Sequence, residues 1–146
     1  MRLALMLLLA SSLANADDDP RFREYHDYAT LTAILSGLTD KHPDLVSVTP
    51  LAETKGGRKV WAVEVADRSA GDPATRPAIL ILGGLSGVQP AGSEVALAVL
   101  LRLVESTDEA TVAMRRSCTF YFLPRVHPDG VEARRAGTAT PCDDDH

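Results

Sequence analysis

The sequence predicts an α/β layer fold, and three observations carry the prediction. An amphipathic stretch, "YHDYATLTAILSGLTDKHPD", precedes two strand-like runs joined by a glycine-containing turn. The runs "AILIL" and "CTFYFLPRV" are apolar at nearly every position, and a helical segment from Pro90 to Val104 lies between them. Strands that alternate with helices pack as layers about one sheet. With 146 residues, 45% of them hydrophobic, the chain has the length of one domain at most.

Each element follows from local pattern. In the first helix Tyr28, Leu31, Ile34, Leu35 and Leu38 recur at helical spacing, and Asp27 can cap its start. Pro43 ends it, because the residue before a proline is pushed out of the α region. "LVSVTPLAE" and "KVWAVEVA" read as an antiparallel hairpin closed by "TKGGR", where Gly56 and Gly57 allow positive φ. Trp61, Val63 and Val65 share one face of the second strand and are expected in the core. "AILIL" shows no polar face at all, the mark of a central strand covered on both sides. The helix after it carries a broad apolar side, Val95, Leu97, Ala98, Leu100, Leu101 and Val104, with Pro90 at its first turn. "DEATVAMRR" is a short helical or irregular connection to the last buried strand.

The N-terminus reads as an export signal. "MR" is a short positive region, "LALMLLLASSLA" an apolar core, and Ala14, Asn15, Ala16 a small-x-small cleavage site, so residues 1–16 are expected to be removed. The apolar run is shorter than the roughly 20 residues of a membrane span. The mature chain is therefore expected to be secreted or periplasmic, not membrane-bound, with residues 17–24 as a leader that begins with a frayed "DDDP" and residues 25–146 as a partial domain, truncated at its C-terminus. Loss of Arg2 moves the formal net charge from −5 to −6. The scattered Lys and Arg residues lack the clustering that binds a phosphate backbone, so no nucleic acid is expected as a partner.

Chemistry in open α/β sheets sits beyond the carboxyl ends of the strands, which points to "GGLSGVQPAGSE" (residues 83–94) and "PRVHPDG" (residues 124–130). A phosphate loop fits the first stretch poorly: neither G-x-G-x-x-G nor G-x-x-x-x-G-K-[ST] is met, and no lysine is present. A nucleophile elbow G-x-S-x-G fails too, since Val88 stands where the second glycine belongs.

The order of all the pieces supplies a third reading. The Tyr-containing helix, "HPDLVSV", the "GGR" hairpin, the "GG" strand end, "PAGSE" opening a helix and a strand ending in "PRVHPDG" together resemble the N-terminal half of the zinc metallocarboxypeptidases of the carboxypeptidase A type. The resemblance runs from about residue 25 to residue 135 and implies the N-terminal portion of a mixed-sheet α/β/α fold. It further implies zinc as the family's cofactor, a peptide or protein substrate, and hydrolysis of C-terminal peptide bonds. In the family the first loop carries H-x-x-E and the second N-P-D-G. By that correspondence Ser86 stands at the first zinc-binding His, Gln89 at the zinc-binding Glu, and His127 at the Asn. Zinc sites are built from Cys sulfur, His nitrogen and carboxylate oxygen. Zinc is accordingly not expected to bind this chain, and no catalytic residue is assigned.

His127 reads as a turn residue beside Pro128, Asp129 and Gly130, in preference to a ligand. His26, His42 and His146 show no i, i+4 pair. Arg134 or Arg135 matches a carboxylate-binding arginine only loosely, and the family's remaining site residues fall beyond His146. "PCDDDH" stops inside an acidic run, which predicts a truncated domain; a solvated acidic tail is the other reading. Two readings also stand for the cysteines: Cys118 and Cys142 pair in an oxidising compartment, or Cys118 is a small buried hydrophobe. The function expected is family membership without catalysis, against a non-catalytic secreted peptide-binding module or a gene remnant.

Overall fold

The computed structural model describes residues 19–138. The expected leader at 1–16, Cys142 and the acidic end lie outside the described residues. The elements in chain order are α1 (Tyr28–Lys41), β1 (Val46–Glu53), β2 (Lys59–Val65), β3 (Ala78–Leu82), α2 (Ala91–Glu105), α3 (Glu109–Ser117), β4 (Thr119–Leu123) and α4 (Pro128–Arg135). One mixed sheet has the order β1-β2-β4-β3; β2 runs antiparallel to both β1 and β4, and β3 runs parallel to β4.

Local chemistry sets the element ends. The Asp27 carboxylate accepts the Thr30 amide at 2.7 Å and caps α1, and His42 ends it one residue before Pro43. Asp108 caps α3 in the same way through the Thr111 amide. The last carbonyls of α2, which have no partner within the helix, are collected by Arg115: its Nη1 donates to the oxygens of Leu103, Val104 and Ser106 at 2.7, 2.8 and 3.0 Å. In the hairpin turn only Gly57 has positive φ, at 73°. Gly56 is needed for space instead, because a Cβ there would sit 2.6 Å from the Asp129 carboxylate.

The core lies on one face of the sheet. Val46, Val63, Val65, Phe120 and Phe122 point to it and are covered by Leu31, Leu35 and Leu38 of α1 and by Leu97, Leu100, Leu101 and Val104 of α2. Burying a side chain of this size stabilises by about 1.5–3 kcal/mol. Trp61 packs against the same core partly buried, with its Nε1 donating to Thr32 Oγ1 at 3.2 Å.

Among the described residues β3 lies at one side of the sheet, and Ile79, Leu80 and Leu82 are 44%, 60% and 45% exposed. Its uniform apolarity suits cover on two faces, of which α2 supplies one. The fraying expected of "DDDP" does not extend to Asp19 and Pro20: Pro20–Phe22 form a 3-10 turn capped by Asp19, and Arg21 bridges Asp19 and Glu105. An acid-rich run reads as solvated until its arginine finds a distant carboxylate. Among the described residues no helix is long and apolar enough to cross a membrane.

Candidate functional site at the ends of two strands

β3 and β4 end side by side, and the loops that follow are stitched together by main chain. Gly83 N donates to Leu123 O at 2.8 Å, Val126 N to Gly83 O at 3.0 Å and His127 N to Gly84 O at 2.9 Å. Contact this close needs glycine. A Cβ on Gly83 would meet Ala96 Cβ and Pro124 O at 2.6 Å, and Gly84 has a φ of 57°. Gly87 lies against Gly130 and the ring of His127, where a Cβ would be 2.6 Å from Gly130 Cα.

Ser86 is half-buried and Gln89 exposed within the first loop, where Gln89 N donates to Ser86 O at 3.3 Å. His127 precedes Pro128 at the start of α4, and its ring packs on Gly87 and Gly130 with Nδ1 buried and without a hydrogen-bond partner. These three side chains supply a hydroxyl, a carboxamide and an imidazole whose Nδ1 is buried. Among the described residues no three His, Cys, Asp or Glu side chains converge as metal ligands would. A hydroxyl and a carboxamide are not among the donors of which zinc sites are ordinarily built. Cys118 is half-buried against the core at the end of α3, well apart from this loop in the fold.

Asp129 of "PDG" ties the second loop to the β1–β2 turn. Its Oδ1 accepts from Arg58 Nη1 at 2.8 Å and its Oδ2 from Gly56 N at 2.9 Å. Burial opposes its ionisation, but the bonds from Arg58, Thr54 and Gly56 prevail and hold the carboxyl below its ordinary value.

The most organised charges lie behind these loops, at a residue the sequence reading passed over. Arg125, buried at the end of β4, donates from Nε to Ser93 Oγ at 2.9 Å and from Nη2 to His26 O at 2.9 Å. Its guanidinium also pairs with Glu94 and Glu132, each at 3.4 Å. Glu94 stands in the first turn of α2, where the helix dipole favours a carboxylate. It accepts the His26 amide at 3.0 Å and lies 2.5 Å from His26 Nδ1. Glu132 in turn accepts the Tyr28 amide at 3.0 Å. Burial pushes the Arg125 guanidinium below its ordinary value, against the pull of the two glutamates. The signal available in the sequence was an arginine directly after an apolar strand, between Pro124 and Val126, with a glutamate in the first turn of the preceding helix.

Arg135 is exposed, and its Nη1 donates to Tyr25 O at 2.9 Å. Arg134 is exposed in the last turn of α4.

A mixed sheet with paired loops at its strand ends, each opening a helix, defines an α/β protein with a loop pair beyond β3 and β4, the place where open α/β sheets bind ligands. The zinc carboxypeptidase family matches residues 31–141, more than half of the chain, and the chain belongs to that family. Human carboxypeptidase D is 29% identical over 131 residues, 88% of this chain and 9% of the relative. Carboxypeptidase E of Caenorhabditis elegans is 26% identical over 122 residues, 79% of this chain and 25% of the relative. Among solved structures, thrombin-activatable fibrinolysis inhibitor superposes with a TM-score of 0.73 at 13% identity, covering 86% of this chain and 31% of that one. Carboxypeptidase A from Helicoverpa armigera does so with a TM-score of 0.70 at 22% identity, covering 92% and 33%. The two structural likenesses establish the fold. The chain spans a quarter or less of these curated relatives and about a third of these solved chains.

Proposed function

We propose that this chain is an exported member of the zinc carboxypeptidase family that does not hydrolyse C-terminal peptide bonds. The observation that carries the reading is the pair Ser86 and Gln89 in the loop between β3 and α2. The resemblance to the family puts two of the three zinc ligands at those positions, and a neutral hydroxyl and a neutral amide replace neither an imidazole nor a carboxylate. Without the metal, nothing in this loop polarises a scissile carbonyl or lowers the pKa of a bound water. The adjoining second loop adds one imidazole, His127, whose Nδ1 is buried against Gly87 and Gly130 without a hydrogen-bond partner. Export is supported by the arrangement of residues 1–16.

Expression with its own leader, followed by N-terminal sequencing, metal analysis and a carboxypeptidase assay, tests the reading on one preparation. The exported chain is expected to begin at Asp17, to hold well under one zinc per chain and to release no C-terminal residues. The double variant Ser86→His, Gln89→Glu is expected to gain only weak zinc affinity, since a two-ligand site lacks the three protein ligands of a catalytic centre. One tightly held zinc per wild-type chain, lost on chelation together with peptidase activity, would overturn the proposal; an intact Met1 in soluble protein would overturn export.

A further inference from the structure

The segment that leads into α1, residues 19–28, is a strap held largely through its main chain. His26 N donates to Glu94 Oε1 at 3.0 Å, and His26 O accepts from Arg125 Nη2 at 2.9 Å. One residue thus has both its N–H and its C=O bound, by two side chains that also pair with each other. Tyr28 N donates to Glu132 Oε1 at 3.0 Å, and Glu132 is the second carboxylate on Arg125. The strap pairs with no strand of the sheet. Its apolar hold on the core is Phe22, partly buried, whose ring meets the His26 ring edge to face with 5.6 Å between centroids.

The side chains that grip the strap stand at the roots of both strand-end loops. Glu94 lies in the first turn of α2, directly after residues 83–90. Arg125 lies between β4 and His127, and the next two amides, Val126 N and His127 N, make the seam to Gly83 O and Gly84 O. Glu132 lies in α4, which the second loop opens. The direct pairs of Arg125 with Glu94 and Glu132 are each 3.4 Å, long beside the roughly 2.7–2.9 Å of a charge-assisted bond. The links that run through His26 and Tyr28, at 2.9–3.0 Å, are shorter. α2 and α4 are therefore braced to the end of β4 through the strap.

We propose that the strap is a latch on the loop pair: its undocking and the parting of residues 83–90 from residues 124–130 are one conformational event. When the strap lifts, Glu94 loses the His26 amide and ring, and Arg125 loses the His26 carbonyl. Water then reaches a guanidinium whose side chain is 1% exposed in the docked state. Screening by that water weakens the two long ion pairs that remain, and the brace between the loop roots is lost. A segment with one partly buried apolar side chain belongs to the low-stability end of a fold, so this opening precedes global unfolding. The latch acts on the loops themselves and does not depend on whether zinc binds or a peptide bond is cleaved.

Amide hydrogen exchange of the purified chain in low concentrations of urea reads the event. The His26 and Tyr28 amides of the strap and the Val126 and His127 amides of the seam are expected to share one opening, with a common urea dependence. All four are expected to exchange faster than Ala66 N, which bonds to Leu45 O at 3.0 Å in the core and reports global opening. His26→Ala removes the ring that lies 2.5 Å from Glu94. It is expected to speed exchange at Val126 and His127 about tenfold and at Ala66 less than about twofold. The wild-type measurement decides even if that variant fails to fold. Strap amides that open alone while the seam follows Ala66 overturn the proposal. So does a seam unchanged by His26→Ala, or equal acceleration at Val126, His127 and Ala66.

Discussion

The loop at residues 83–90 and the cluster around Arg125 are separated by little more than the thickness of the chain, yet they are built on opposite principles. Behind the strand ends, one guanidinium, two carboxylates, a serine hydroxyl and the main chain of His26 and Tyr28 satisfy each other in a nearly dry setting. In front, Ser86 and Gln89 are neutral, and the loop is shaped chiefly by glycines that let backbones touch. The comparison teaches that this fold keeps the architecture of its site apart from the chemistry of its site. Buried charges hold the loops in place, so the residues that the loops present can change without the frame collapsing.

Breaking the frame is expected to give the largest effect. Arg125→Met leaves Glu94 and Glu132 without their shared cation and is expected to destabilise by about 3–5 kcal/mol in urea unfolding, while Gln89→Ala, at an exposed side chain, stays within about 0.5 kcal/mol. A cost below about 1 kcal/mol for Arg125→Met would show that the cluster is incidental.

Wedging the seam between the two loops comes next. Gly87→Ala places a methyl group 2.6 Å from Gly130 Cα and 2.8 Å from His127 Nδ1, so backbone must move, at about 1–3 kcal/mol of stability. Wild-type stability in this variant would mean that the loops part easily.

The smallest effect is expected at Asp129, the tie to the hairpin turn. Its folded-state pKa is depressed below the ordinary 3.8. Its contribution is therefore complete above that value and is lost as pH falls through the lower, folded one. Urea midpoints at about pH 6 and pH 3 are expected to differ less for Asp129→Asn than for the wild type. Equal losses in the two proteins would remove this carboxylate from the acid sensitivity of the fold.

How much of this was legible depended on the range of the cause. α1 was readable to within a residue because Asp27 and Pro43 act on their immediate neighbours. The hairpin was readable because its alternation and its glycine turn are local. The exposure of β3 was not, since burial belongs to what packs on a strand and not to the strand itself. Arg125 was missed for the same reason. An arginine in a chain of 15 basic residues carries no local mark that residues 26, 93, 94 and 132 will converge on it. Of the site, the sequence placed Ser86, Gln89 and His127 on the correct loops, but the enclosure of His127 by Gly87 and Gly130 is a product of tertiary contact.

The strap formed by residues 19–28 bears on the order in which the chain can fold as it is made. Its bonds run to Glu94, Glu105, Arg125, Glu132 and Arg135, 68 to 110 residues further along. The first part of the folded unit to leave the ribosome is thus among the last to find its partners. α1 and the β1–β2 hairpin can form from neighbouring residues, whereas the strap waits until α4 has been synthesised, because contacts of such long range must first bear the entropy of closing a loop. A nascent chain is thus held open at its N-terminus until α4 has been made.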